Sequence, residues 1–164
     1  LLHVADATPF FDAVDRFNER YDELKEHSDW SAHGPGFPAK KNVLAQRDNV
    51  LGRHPGTVFI GAHVGMSLED LAYASEVLSR FPNYYVDIAS PLQELGRQPY
   101  TARDFFIKHQ DRILFGSDGG FALDSPPEWP AERFFRTYFR FLETRDEYFE
   151  YPLWGINKQG RWRI

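Results

Sequence analysis

Four short apolar runs punctuate the chain. Leu1-Leu2-His3-Val4-Ala5 opens it, and Thr57-Val58-Phe59-Ile60-Gly61-Ala62 follows the breaker Pro55-Gly56. Tyr84-Tyr85-Val86-Asp87-Ile88 follows Pro82-Asn83, and Arg112-Ile113-Leu114-Phe115-Gly116 runs into Ser117. Near-continuous apolar strands of this length suit a parallel sheet covered on both faces. Helical spacing fills the intervals. Lys40 to Arg53 places Val43, Leu44, Val50 and Leu51 on one face, and Ser67 to Phe81 places Leu68, Leu71, Ala72, Leu78 and Phe81. Ser67 is the expected N-cap of that helix, with Glu69 and Asp70 in its first turn. Ala102 to Gln110 turns Phe105 and Phe106 inward. Ala131 to Phe149 groups Phe134, Phe135, Tyr138, Phe139 and Leu142, with Pro130 at its start. A charged helix is expected over Asp12 to His27. Strict alternation of strand and helix predicts an α/β fold with parallel strands and right-handed crossovers.

Composition narrows the picture. The chain has 164 residues, 42% apolar and 16% aromatic, which is a globular composition with a real core. No apolar run reaches the roughly 18–20 residues of a membrane span. A net charge of −5 argues against a nucleic-acid surface. The absence of cysteine excludes disulfides, thiolate metal sites and a Cys nucleophile. Both ends read as cut, since the first residues already look like a strand and the last are a mixed aromatic and basic stretch. The expectation is one partial domain over residues 1–164, with any targeting signal outside it and the cytoplasm as the default compartment. The aromatic-rich segment from Phe134 to Trp162 leaves a homo-oligomer open. The breaker-rich loops Gly34-Pro35-Gly36-Phe37-Pro38 and Asp124-Ser125-Pro126-Pro127-Glu128 are expected over the active face.

Candidate chemistry lies where strands end. The first run carries His3 and then Asp6, the second runs into His63, the third carries Asp87 and the fourth runs into Asp118. Parallel α/β folds build their sites at the carboxyl ends of strands. Imidazole and carboxylate are ligands that Zn²⁺ and similar divalent ions take. His3, His63 and Asp118 are the leading candidates, with Asp87, Asp6 and loop residue His33 behind them. Each has a bland reading: a strand-end histidine satisfied within the fold, or an Asp-Gly turn at Asp118-Gly119. The remaining histidines, His27, His54 and His109, read as solvated.

His3, then Gly61-Ala62-His63-Val64-Gly65, then Leu114-Phe115-Gly116-Ser117-Asp118, resemble in order and spacing the amidohydrolase superfamily. The likeness is nearest to the amidohydrolase-related branch that contains the aminocarboxymuconate semialdehyde decarboxylases. It extends to Asn18-Glu19-Arg20 and to Glu94-Leu95-Gly96-Arg97-Gln98-Pro99-Tyr100. The resemblance implies the C-terminal half of a (β/α)8 TIM barrel, strands 5–8 with their helices. It implies a divalent metal, Zn²⁺ first, and a small-molecule substrate. His3 would be the strand-5 metal ligand, His63 the strand-6 ligand or water-activating group, and Asp118 the strand-8 residue that binds metal or its water and moves protons. The family's His-x-His pair is not present among the six histidines.

The implied chemistry is hydrolysis by metal-activated water, since a divalent ion lowers the pKa of bound water from near 16 towards about 7. Asp118 would accept the water's proton and return it to the leaving group. His63 would complete the coordination or hydrogen-bond the developing oxyanion. Decarboxylation runs on the same parts and stays open. A degenerate barrel used as a binding module would not need His3, His63 and Asp118 together. A nucleotide-binding doubly wound sheet would need a Gly-rich loop, for which His63-Val64-Gly65-Met66 is too short.

Overall fold

The computed structural model describes residues 1–90, 92–118 and 131–149. The loop expected over Asp124 to Glu128 and the segment from 150 to Trp162 lie outside the described residues. In chain order the elements are α1 (Tyr21–Glu26), α2 (Lys40–Arg53), β1 (Phe59–Gly61), α3 (Leu71–Arg80), β2 (Tyr84–Asp87), α4 (Leu92–Gly96), α5 (Pro99–His109), β3 (Ile113–Leu114) and α6 (Ala131–Glu143).

The sheet has the order β1-β2-β3 and both pairings are parallel, with Phe59 opposite Tyr84 and Val86 opposite Ile113. The opening run joins on the other side of β1 through a single parallel bridge, Leu2 to Gly61. The Leu2 amide donates to the Ile60 carbonyl at 2.7 Å, and the Ala62 amide donates to the Leu2 carbonyl at 2.8 Å. The four apolar runs are thus neighbours in the expected order, all parallel. They are shorter than the apolar runs suggest.

The helices depart from expectation in informative ways. α2 has the expected bounds, but its buried positions are Leu44, Arg47, Asp48 and Leu51, and Val50 is 40% exposed. The face keeps helical spacing and carries a charged pair at its centre. α3 starts at Leu71, not Ser67. Asp70 caps it by accepting from the Tyr73 amide at 2.9 Å, while the Ser67 hydroxyl is buried and taken by Arg47. Instead of one helix from Asp12 to His27 there is a loop and the short α1. The Asn18 amide holds that loop by donating to the carbonyls of Pro9 and Ala13, local bonding that competes with helix. α6 ends at Glu143 and leaves Phe139 and Leu142 exposed. α4 had no clear sequence signal.

One core joins these pieces. Leu71, Val77 and Leu78 of α3 pack with Tyr84 and Val86 of β2, Leu92 and Leu95 of α4, Phe105 of α5, and Phe134 and Tyr138 of α6. His109, expected to be solvated, is buried at the end of α5. Its Nε2 is 2.7 Å from the Ser75 hydroxyl, and burial first, then Lys108 and Arg112, hold its pKa below the usual histidine value. No helix among the described residues is long and apolar enough to cross a membrane.

Candidate active site

The chain leaves β1 through an unusual turn. His63 (φ 55°), Val64 (φ 54°), Gly65 (φ 62°) and Met66 (φ 62°) are four successive residues in the left-handed region. The Met66 amide donates to the His63 carbonyl at 2.9 Å and the Ser67 amide to the Val64 carbonyl at 3.3 Å, which closes one left-handed helical turn. Only Gly65 adopts this conformation freely. The other three cost about 1–2 kcal/mol each, so the surroundings must hold the turn in place.

Asp87, at the end of β2, is one such hold. Its Oδ1 accepts from the His63 amide at 2.8 Å and from the Ala89 amide at 3.1 Å. The His63 Nδ1 lies 2.6 Å from the Ala89 carbonyl oxygen. A carbonyl can only accept, so Nδ1 carries a proton, and it is the neutral ring that offers a lone pair on Nε2. Asp87 is therefore a brace for His63, and the structure brings it to the site in that role.

Tyr84 packs beneath the same turn. A Cβ at Gly61 or at Gly65 would collide with the Tyr84 hydroxyl, which is buried beneath the turn. Burial raises the pKa of this phenol. Gly61→Ala is expected to destabilise the protein by about 1–3 kcal/mol, the usual cost of overpacking, and Tyr84→Phe in the same background to recover part of it. Denaturant unfolding of the two variants measures this. An unaltered midpoint for Gly61→Ala would contradict the tight fit.

His63 faces an open cleft of ≈ 590 Å³, within the roughly 300–1,000 Å³ range of small-molecule sites. His3, Asp6 and Asp118 line it too. The imidazoles of His3 and His63 meet edge to face with centroids 5.0 Å apart. Asp118 is exposed, and its own φ is 54°. His33 is elsewhere: it is exposed, with Nδ1 3.0 Å from the Phe11 carbonyl, and neither it nor the loop 34–38 lines the cleft. Thus His3, His63 and Asp118 share one cleft at the strand ends. Among the described residues, however, no three His, Asp or Glu side chains stand close enough together to hold a metal ion.

The far wall carries residues to which the sequence reading gave no role. Arg20, Glu23, Gln93 and Glu94 line the cleft with Phe10, Asp29 and Trp30. Arg20 bridges Glu23 at 2.9 Å and Glu94 at 3.0 Å, and Gln93 donates to Glu94 at 3.0 Å. Burial alone would lower the Arg20 pKa, but the carboxylates of Glu94 and Glu23 hold it above its ordinary value. Arg97 pairs with Glu19 at 2.6 Å. Asn18-Glu19-Arg20 and Glu94 to Tyr100 are therefore joined by two ion pairs. Five carboxylates (Asp6, Glu23, Asp29, Glu94 and Asp118) against one guanidinium make the described lining acidic, which favours cations.

Comparison with curated proteins and with solved structures gives no match. The sequence model of the amidohydrolase family matches residues 2–153, nearly the whole chain. The chain therefore belongs to the amidohydrolase family.

Proposed function

We propose that this chain supplies one wall of the active site of a metal-dependent hydrolase acting on a small molecule, with His3, His63 and Asp118 as its working residues. The observation that carries the reading is the braced turn, which spends backbone strain to present His63 to a cleft shared with His3 and Asp118. Strain of this kind gathers at functional sites. Family membership supports an enzyme of the hydrolase and lyase type.

The metal is part of the proposal. Two imidazoles and a carboxylate are donors that a divalent ion takes, Zn²⁺ first. The Nδ1–H of His63 on a backbone carbonyl is the arrangement that orients ligating histidines. The described residues do not complete a three-donor set. We read the four parallel segments as strands 5–8 of a (β/α)8 barrel, with the remaining donors on the rest of the wall. Asp118 then takes the proton of the attacking water and returns it to the leaving group. In this reading His63 presents the Nε2 lone pair to the cleft as a metal donor.

The nearer likeness to the decarboxylase-containing branch makes carbon dioxide release the rival outcome, and solvent isotopes separate the two. With a turned-over substrate of the natural full-length protein, ¹⁸O-water puts one ¹⁸O into the product of hydrolysis. Decarboxylation puts no ¹⁸O into the organic product and, in D₂O, places deuterium on the carbon that lost CO₂. We expect the ¹⁸O result. Deuterium without ¹⁸O would replace hydrolase by lyase.

A further inference from the structure

We propose that Arg47 is a positioning residue for His63, holding the left-handed turn from behind so that Nε2 stays on the cleft. The inference rests on the reading that His63 acts there. Arg47 comes from α2, is 3% exposed, and meets the turn at Gly65, whereas Asp87 and Ala89 meet it at His63. Its five N–H donors divide into two sets. Nε and Nη2 donate to Asp48 Oδ1 at 2.9 and 2.8 Å, and Nη2 also donates to the Tyr73 hydroxyl at 3.3 Å. That hydroxyl donates in turn to Asp48 Oδ2 at 2.6 Å. Burial first, and then the hydrogen bond to Asp48, push the pKa of the Tyr73 phenol up to about 12, so it stays a donor. The guanidinium plane is thereby fixed. Nη1 remains, and it donates to the Gly65 carbonyl and, at 3.2 Å, to the Ser67 hydroxyl.

The two acceptors bracket the end of the strained turn. Gly65 is its third left-handed residue, and Ser67 is the first residue beyond it. Asp87 and the Ala89 carbonyl hold the His63 end. The turn is gripped at both ends and relaxes if either grip opens. A buried Arg–Asp pair is a weak source of stability compared with apolar packing, so its placement on a strained backbone beside a cleft histidine points to conformational control.

The test reads the His63 tautomer in the natural full-length protein by long-range ¹H–¹⁵N spectra of its imidazoles, with His63→Asn assigning the signal. The wild type is expected to show the Nδ1–H form. Arg47→Met should convert His63 largely to the Nε2–H form preferred by free imidazole, while the far-ultraviolet circular dichroism is kept. Arg47→Lys retains one donor for the Gly65 carbonyl and should restore much of the Nδ1–H form. Turnover should follow, with kcat falling about 10–100-fold in Arg47→Met, the usual effect of losing a group that orients a ligand, and recovering in part in Arg47→Lys. If Arg47→Met does not fold, Ser67→Ala, which removes one of the two acceptors, should give a mixture of tautomers. A folded Arg47→Met with an unchanged His63 signal overturns the proposal. So does an unchanged signal in Ser67→Ala where the methionine variant is unfolded. A tautomer shift in an enzyme whose turnover survives His63→Asn would keep the positioning role and remove the functional reading beneath it.

Discussion

Asp118→Asn in the natural full-length protein is expected to lower kcat by about 10²–10⁴-fold, the usual contribution of a positioned proton-transfer group. The substitution isolates the chemistry well. Asp118 lies beyond β3 with φ 54°, a conformation that Asn tolerates about as well as Asp. It is also exposed, and exposed substitutions away from special features usually stay within about 0.5 kcal/mol in stability. Shape, backbone and fold are kept, and the carboxylate that takes a proton is removed. Turnover and thermal unfolding, measured side by side, check the expectation. Unchanged turnover would remove Asp118 from the mechanism. A large fall in the unfolding temperature would make its role one of folding instead.

Parallel strands, their order and the convergence of His3, His63 and Asp118 on one cleft were legible because they follow from simple regularities. Apolar runs between breakers mark strands, and alternation with helices forces them parallel, so strand-end polar residues gather on one rim. The features missed share another cause. The left-handed turn is written in His63, Val64 and Met66, none of which signals that conformation, and Gly65 alone is too common a cue. The buried face of α2 hid Arg47 and Asp48, because at positions between Leu44 and Leu51 a charged pair reads as solvent-facing unless its partners on distant elements are known. Those partners are Gly65, Ser67 and Tyr73. Asp87 was noticed, but its use as a brace depended on the turn. Arg20 and Glu94 lie 74 residues apart, a pairing that only the folded chain reveals. Local pattern thus specified the scaffold, and long-range polar contacts specified how the site is held.

Metal content is expected to separate the 164-residue chain from the natural full-length protein by about 100-fold or more in affinity, taking about 10–100-fold for each lost orienting group. Within the described residues the sheet ends in two strand edges, one at the Leu2 bridge and one at β3. An unpaired edge is prone to wrong pairing. His3 stands at one of those edges and Asp118 follows the other, so two of the three proposed donors ride on segments paired on one side only. Three protein ligands suffice for Zn²⁺ only when they are preorganised, and no three donors converge among the described residues. The chain alone, folded by circular dichroism, should therefore emerge from gel filtration against a competing chelator with well below one ion per chain. The full-length protein should keep about one, and should lose turnover when a stronger chelator strips it and regain it when Zn²⁺ is returned. Elemental analysis of both proteins decides the matter. One tightly held ion in the isolated chain would mean that His3, His63 and Asp118 close on a metal unaided. Full activity in a full-length protein stripped of metal would leave Asp118 and His63 to work on water without it, and the metal would drop out of the proposed function.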